Sequence, residues 1–151
     1  MTRPESVRLK EDLHTGARFA QYVVGSRTGQ LRFVLEPDFV NEYIAAAGID
    51  ESLYRVAGRP AVPPQILTLY LMGTLHRRYP PLPGIVMARL TLALHAPLWR
   101  GEATVICCEG EILSKEERGA RHFITWRAEY REDHGPRLAT ITNTFLIPEP
   151  A

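Results

Sequence analysis

One segment constrains the fold more than any other. It is QILTLYLMGTLHRR, residues 65–78, followed by the proline-rich YPPLPG. At helical spacing Ile66, Leu67, Leu69, Tyr70, Leu71, Met72 and Leu75 surround it on nearly every side. A helix that is apolar all round has to be buried. Its longest nearly apolar run, 66–75, is far short of the ~20 residues that a membrane span needs. The burial must therefore be inside protein, and the rest of the chain must wrap around it. His76, Arg77 and Arg78 suit the negative end of the helix dipole. The prolines that follow forbid continuation. His76 reads as a dipole-stabilised terminal histidine, with a catalytic histidine as the sharper alternative.

The wrapping is supplied by strands. After residue 84 the hydrophobic period becomes two. Val86, Ala88, Leu90, Leu92 and Leu94 alternate with Met87, Arg89, Thr91, Ala93 and His95. Further runs cover 103–114, then Ile124 to Tyr130, then Ala139 to Ile147, where Asn143 breaks the apolar face. PLWRGE, KEERGA and EDHGPR separate them as turns, which predicts an antiparallel meander. Upstream, 18–24 and 31–35 read as two short strands around a turn-like SRTGQ. EPDFVNEYIAAAG reads as an amphipathic surface helix. Pro37 and Asp38 lie in its first turn, Gly48 at its exit, and Phe39, Val40, Tyr43, Ile44 and Ala47 on one stripe. The fold class expected is α+β, a single hot-dog domain: a curved antiparallel sheet around one central helix at about 65–78.

A chain of 151 residues is one domain by size. Residues 1–16 read as a peripheral N-terminal segment and 17–151 as the hot-dog domain. The N-terminus is charged without an apolar h-region, which predicts a cytoplasmic protein and no secretory signal. Net charge is +1 with acids and bases interspersed, arguing against nucleic acid as the main partner. Cys107 and Cys108 are adjacent and on a strand point to opposite faces, so two packed thiols are expected and not a bridge. The five histidines have no metal-ligand spacing, and no metal is expected.

Between the two helices runs GIDESLYRVAGRPAVPP, residues 48–64, with neither helical nor strand periodicity. Connections in compact domains are usually ~4–6 residues, and long ordered ones are disproportionately functional. This is where chemistry is to be sought.

The stretches AAAGIDESLYR, AGRPAVPPQIL, HAPLWRGEAT and EILSKEERGARHFITWRAEYREDHGPRLATITNTFLIP occur in that order over roughly residues 31–148. Together they resemble the MaoC-like hydratase/dehydratase family, and within it the degenerate N-terminal type of domain found in hydroxyacyl-thioester dehydratases. Active members carry G-D-x-N-P-hydrophobic-H at the end of the surface helix. The resemblance implies that an Asp and a His there handle water across the double bond of an acyl thioester. Such a hydration needs a base, an acid and a donor for the enolate-like oxygen. The family's donor is a backbone N–H at the start of the central helix, where amides are unpaired.

Here the pattern reads Gly48-Ile49-Asp50-Glu51-Ser52-Leu53-Tyr54. The resemblance places Asp50 on the catalytic Asp and Tyr54 on the histidine. Tyrosine, with an unperturbed pKa of ~10, is a poor base near neutrality, so the histidine mechanism does not transfer. Pro63 and Pro64 remove two N–H groups, leaving Gln65 or Ile66 as the donor. Asp50 is either a surviving general acid/base or a carboxylate capping loop amides. Tyr54 either bonds a thioester carbonyl or packs with a wet hydroxyl. Asn143 either bonds a neighbouring carbonyl or points into a ligand tunnel. Of Arg55, Arg59, Arg77, Arg78, Arg89 and Arg100, the first two, in the loop, have the better claim to coenzyme phosphates.

The expectation is therefore an acyl-thioester-binding protein of the enoyl hydratase/3-hydroxyacyl dehydratase type, as in fatty acid metabolism. It is read as a divergent or non-catalytic subunit, a hydro-lyase if active. Asp50 and Tyr54 are the candidate catalytic residues; Pro64, Gln65, Ile66, Arg55, Arg59 and Asn143 are the candidate substrate contacts. No cofactor is expected beyond the coenzyme A or phosphopantetheine arm of the substrate. A homodimer is expected, or a heterodimer with an active MaoC-like subunit, since such edges pair. Two alternatives stand: a hot-dog thioesterase using Asp50 or Glu51 against the thioester carbonyl, and a stand-alone acyl-thioester or polyketide-intermediate binding protein.

Overall fold

The four strands expected after residue 84 join one earlier strand in a single antiparallel sheet. The computed structural model describes residues 3–4 and 16–148, so almost all of the peripheral segment expected over 1–16 lies outside the described residues. The strands are β1 (Arg27–Leu35), β4 (Val86–Leu94), β5 (Thr104–Arg118), β6 (Arg121–Glu132) and β7 (Arg137–Ile147). Their order is β1-β5-β6-β7-β4. β5, β6 and β7 form the meander, while β4 crosses over to pair with β7 at the far edge. Inward residues alternate strictly on the inner strands: Ile124, Trp126, Ala128 and Tyr130 on β6 face Ala139, Ile141, Asn143 and Phe145 on β7. Cys108 takes the inner face and Cys107 the outer, half-buried, and both thiols are free.

The early region differs from expectation. Residues 18–24 hold a 3-10 turn, Phe19–Gln21, and not a strand. SRTGQ does not end a strand but lies largely within β1. Gly29, at φ +84°, absorbs the register shift between Arg27 and Gln30. A glycine can take that left-handed conformation without a Cβ penalty, so the strand bulges and continues.

Helix α1 (Pro37–Ala47) is as the caps predict, with Pro37 first, Asp38 in the first turn and Gly48 left-handed at φ 61°. Val40 and Ile44 are buried under it.

The central segment is buried but is not one α-helix. Residues Pro64–Tyr70 form a 3-10 helix of seven residues, and only Leu71–His76 (α2) are α-helical. The cause is local. Neither proline can donate, Ile66 N–H closes an i→i−3 bond to the Pro63 carbonyl at 3.2 Å, and Thr68 Oγ1 donates to the Gln65 carbonyl at 2.7 Å. That carbonyl is the acceptor an α-helix would give to Leu69. Ile66, Leu67, Leu71 and Leu75 are buried; each such side chain stabilises the fold by about 1.5–3 kcal/mol. Tyr70 stacks face to face on Phe33 of β1 with centroids 3.7 Å apart. Burial is not complete all round, because Leu69 remains 44% exposed.

β4 also departs from its pattern. A register shift between Met87 and Arg89 puts Met87, not Ala88, on the face of Leu90, Leu92 and Leu94. That face is largely open, because the central helix packs over β1 and β5 at the other side of the sheet. No helix among the described residues is long and apolar enough to cross a membrane.

Candidate functional site

The 17-residue connection is more ordered than its periodicity suggests. Asp50 Oδ1 accepts the Ser52 N–H at 3.0 Å and so caps a 3-10 turn, Glu51–Leu53. A miniature hairpin follows, β2 (Arg55–Val56) and β3 (Arg59–Pro60). Its two turn residues, Ala57 and Gly58, have φ of 49° and 79°, the positive values that a two-residue hairpin turn of this hand requires. The connection then fastens to the segment after β4. Val62 N–H donates to the Leu98 carbonyl at 2.8 Å, and Arg100 N–H to the Pro60 carbonyl at 3.3 Å.

These bonds frame a cleft of about 360 Å³. One wall is 53–56, another is Pro64 and Leu67 at the start of the central helix, and the third is 94–98 with Leu138. The lining is mainly apolar, with Tyr54, Arg55 and His95 as its polar side chains. Tyr54 is fixed from behind: Gln65 Nε2–H donates to its hydroxyl oxygen at 2.8 Å. A hydroxyl has one proton to give, and with its oxygen engaged as acceptor that proton is free for another partner. Burial, with Tyr54 nearby as a smaller cause, raises the pKa of Tyr43 behind this pair.

The candidate residues thus separate. Tyr54, Arg55 and Pro64 line the cleft, and Gln65 reaches it only through its bond to Tyr54. Asp50 does not line it; its carboxylate is exposed, and hydrogen bonds from Ser52 hold it below the usual range. Glu51 is held low by its bond to Arg100, which also reaches Asn41. Arg59 pairs with Glu102 and lies over the Trp99 ring, 4.0 Å from its centroid, while Arg55 donates to the Gly58 carbonyl of its own hairpin at 2.9 Å. Ile66 is in the core with its N–H already used, leaving Gln65 as the backbone donor at the start of the segment. Asn143 is also in the core, on β7, the strand whose Leu138 lines the cleft, but it does not line the cleft itself.

His95 escaped the sequence reading, which counted it among scattered histidines. The available signal was its position, the last residue of the β4 alternation just before Ala96-Pro97. Its Nε2 lies 2.9 Å from Thr140 Oγ1. Among the described residues, no group of three or more His, Cys, Asp or Glu side chains is placed to hold a metal ion.

Solved structures share this fold over most of the chain. The MaoC-like dehydratase from Rhodospirillum rubrum superposes with a TM-score of 0.68 and 18% identity, covering 90% of this chain and 100% of that one. The fold is that of the hot-dog hydratases and dehydratases. The R-hydratase PhaJ1 from Pseudomonas aeruginosa gives a TM-score of 0.67 at 14% identity, covering 89% of this chain and 88% of that one. The HadBC complex from Mycobacterium tuberculosis, a 3R-hydroxyacyl-ACP dehydratase, gives 0.66 at 17%, covering 83% and 98%. No protein-family model and no curated protein matches the sequence.

Proposed function

We propose that this chain is a MaoC-like acyl-thioester-binding domain of the hydratase/dehydratase type, acting as a divergent subunit that holds the acyl chain while a partner supplies acid–base chemistry. The observation that carries this reading is the apolar cleft lined by Tyr54, whose hydroxyl is held by Gln65 at the start of the central segment. The Tyr54 O–H would donate to the thioester carbonyl where active relatives hold a histidine. Arg55, without a carboxylate partner among the described residues, would meet the phosphate of a coenzyme A or phosphopantetheine arm at the mouth. Asp50 and Glu51 are engaged elsewhere, which disfavours both self-contained hydration and the thioesterase reading.

The test uses the purified chain and octanoyl-CoA. Calorimetric binding is expected, weakened about five- to tenfold in Tyr54→Phe, the cost of one neutral hydrogen bond. Crotonyl-CoA is expected to keep its enoyl absorbance with the chain alone. Rapid hydration by the chain alone would refute the subunit reading; thiol release would replace it with thioesterase; no binding at all would remove the ligand class.

A further inference from the structure

Asn143 is an anomaly in this core. It is 1% exposed on the inner face of β7, between Ile141 and Phe145. Among the described residues its amide oxygen and nitrogen have no hydrogen-bond partner. The same holds for Nε1 of Trp126, directly opposite it on β6, and for the hydroxyl of Tyr22, whose ring meets Phe145 edge-on at 6.2 Å. Leaving such groups buried and unmatched is costly, whereas apolar replacements of similar shape are nearly neutral. Leucine at 143 and phenylalanine at 126 would fill the same space. The polar atoms therefore point to a hydrogen-bonding group that reaches them.

Their arrangement defines that group. A Cβ built on Gly110 would lie 2.4 Å from Trp126 Cζ3 and 2.7 Å from Cε3, so the benzo edge of the indole rests on β5. Nε1 is on the opposite edge of the ring, turned away from β5. The site then offers N–H donors from Asn143 and Trp126 and one amide acceptor. A hydroxyl satisfies both kinds.

The exposed apolar residues that lead from the cleft toward this cluster lie on β4. The residue in register with Asn143 there is Leu90, which is exposed, as are Met87 and Leu94 on the same face. Leu94 lines the cleft. Four residues of strand separate Leu94 from Leu90, ~13 Å. The apolar wall of the cleft thus continues as a strip to the edge of the polar cluster.

We propose that Asn143, with Trp126 beside it, is an internal subsite for a hydroxyl group borne on the chain of the bound acyl thioester, well beyond the thioester carbonyl. This rests on the acyl-thioester reading above. The experiment compares octanoyl-CoA with hydroxyoctanoyl-CoA isomers bearing the hydroxyl at successive carbons beyond C3, by calorimetry and by the indole N–H resonances. At least one isomer is expected to bind about tenfold more tightly than octanoyl-CoA and to shift the buried Trp126 N–H while leaving that of Trp99 in place. Asn143→Leu is expected to keep octanoyl binding and lose the preference; Asn143→Thr serves if the leucine variant does not fold. Equal affinities with an unmoved Trp126 resonance would overturn the subsite and leave the acyl-thioester reading standing. Failure of every thioester to bind would overturn both.

Discussion

The two edges of the sheet are built in opposite ways. At β1 the inner face is covered by the central helix, and Leu31, Phe33 and Leu35 are buried. The strand's own carbonyls are also taken: Arg77 Nη1 donates to Gln30 O at 3.1 Å and Arg78 Nη1 to Arg27 O at 2.7 Å. The basic end of the central segment thus lies along this edge. β4, at the other edge, has no helix above it among the described residues, and Val86, Met87, Leu90 and Leu94 are each more than a third exposed. An apolar edge strand is a template for another strand unless something covers it. The contrast teaches that one edge is closed by this chain and the other is suited to a partner.

The largest effect should come from charging the open edge. Leu90→Glu places a carboxylate where a partner strand would bury a leucine, and the unpaired charge would cost several kcal/mol of association. With the catalytic partner absent, a second copy is expected to cover β4, so light scattering of the wild type alone should give twice the chain mass, and of Leu90→Glu the mass of one chain, with an unchanged circular dichroism spectrum. A wild type that stays monomeric at tens of micromolar would show that β4 is covered by a different protein and not by a second copy.

A smaller effect is expected from opening the closed edge. Arg77→Ala with Arg78→Ala removes two charge-assisted bonds to β1, each worth about 1–3 kcal/mol at most and less where exposed. The thermal midpoint should fall by roughly 2–6 °C. More tellingly, the double variant should form concentration-dependent species larger than the wild-type assembly, since both edges could then pair. A lower midpoint with no new species would mean that these arginines tie the helix end down but do not guard the edge.

The same contrast marks what the sequence made legible. Strand alternation and the all-round apolar segment announced a sheet wrapped on a helix, because burial period is a local property of the residues. Two kinds of feature were not legible: those set by partners distant in sequence, and a local competition for hydrogen bonds that no burial period reports. The β4 bulge depends on how Met87 meets Phe145 across the ladder, and nothing in VMARL announces it. The 3-10 character of Pro64–Tyr70 turns on Thr68 back-bonding, which only becomes decisive beside two prolines. The loop stands out in the sequence by its length and lack of periodicity, and Tyr54 within it only by comparison with a family pattern. His95, brought to the cleft by the β4–β7 ladder, carried no motif. Asn143 was noticed as a polar residue on an apolar face, but its unpartnered neighbour Trp126 reads in sequence as one more core aromatic.

The smallest expected effect concerns how the closed edge responds to acid. His76 ends the central helix and is buried, with Nδ1 2.9 Å from the Tyr79 carbonyl. Burial lowers its pKa, and the bond to Tyr79 opposes that shift more weakly. A histidine whose folded pKa is depressed binds its proton more readily in the unfolded chain. Stability from this group is therefore complete above the ordinary histidine value of ~6.5, and it is lost as pH falls from there through the folded value. Protonation would also set a cation beside Arg77 and Arg78, the two residues that cap β1. Thermal midpoints measured from about pH 7.5 down to about pH 5.5 should fall by roughly 2–4 °C more in the wild type than in His76→Gln, whose amide can still bond the Tyr79 carbonyl. The Leu90→Glu background should show the same difference, because the open edge takes no part in it. Parallel curves for wild type and His76→Gln would mean that the imidazole meets its proton equally well in the folded and unfolded chain, and would separate the acid response from the arginine-capped edge.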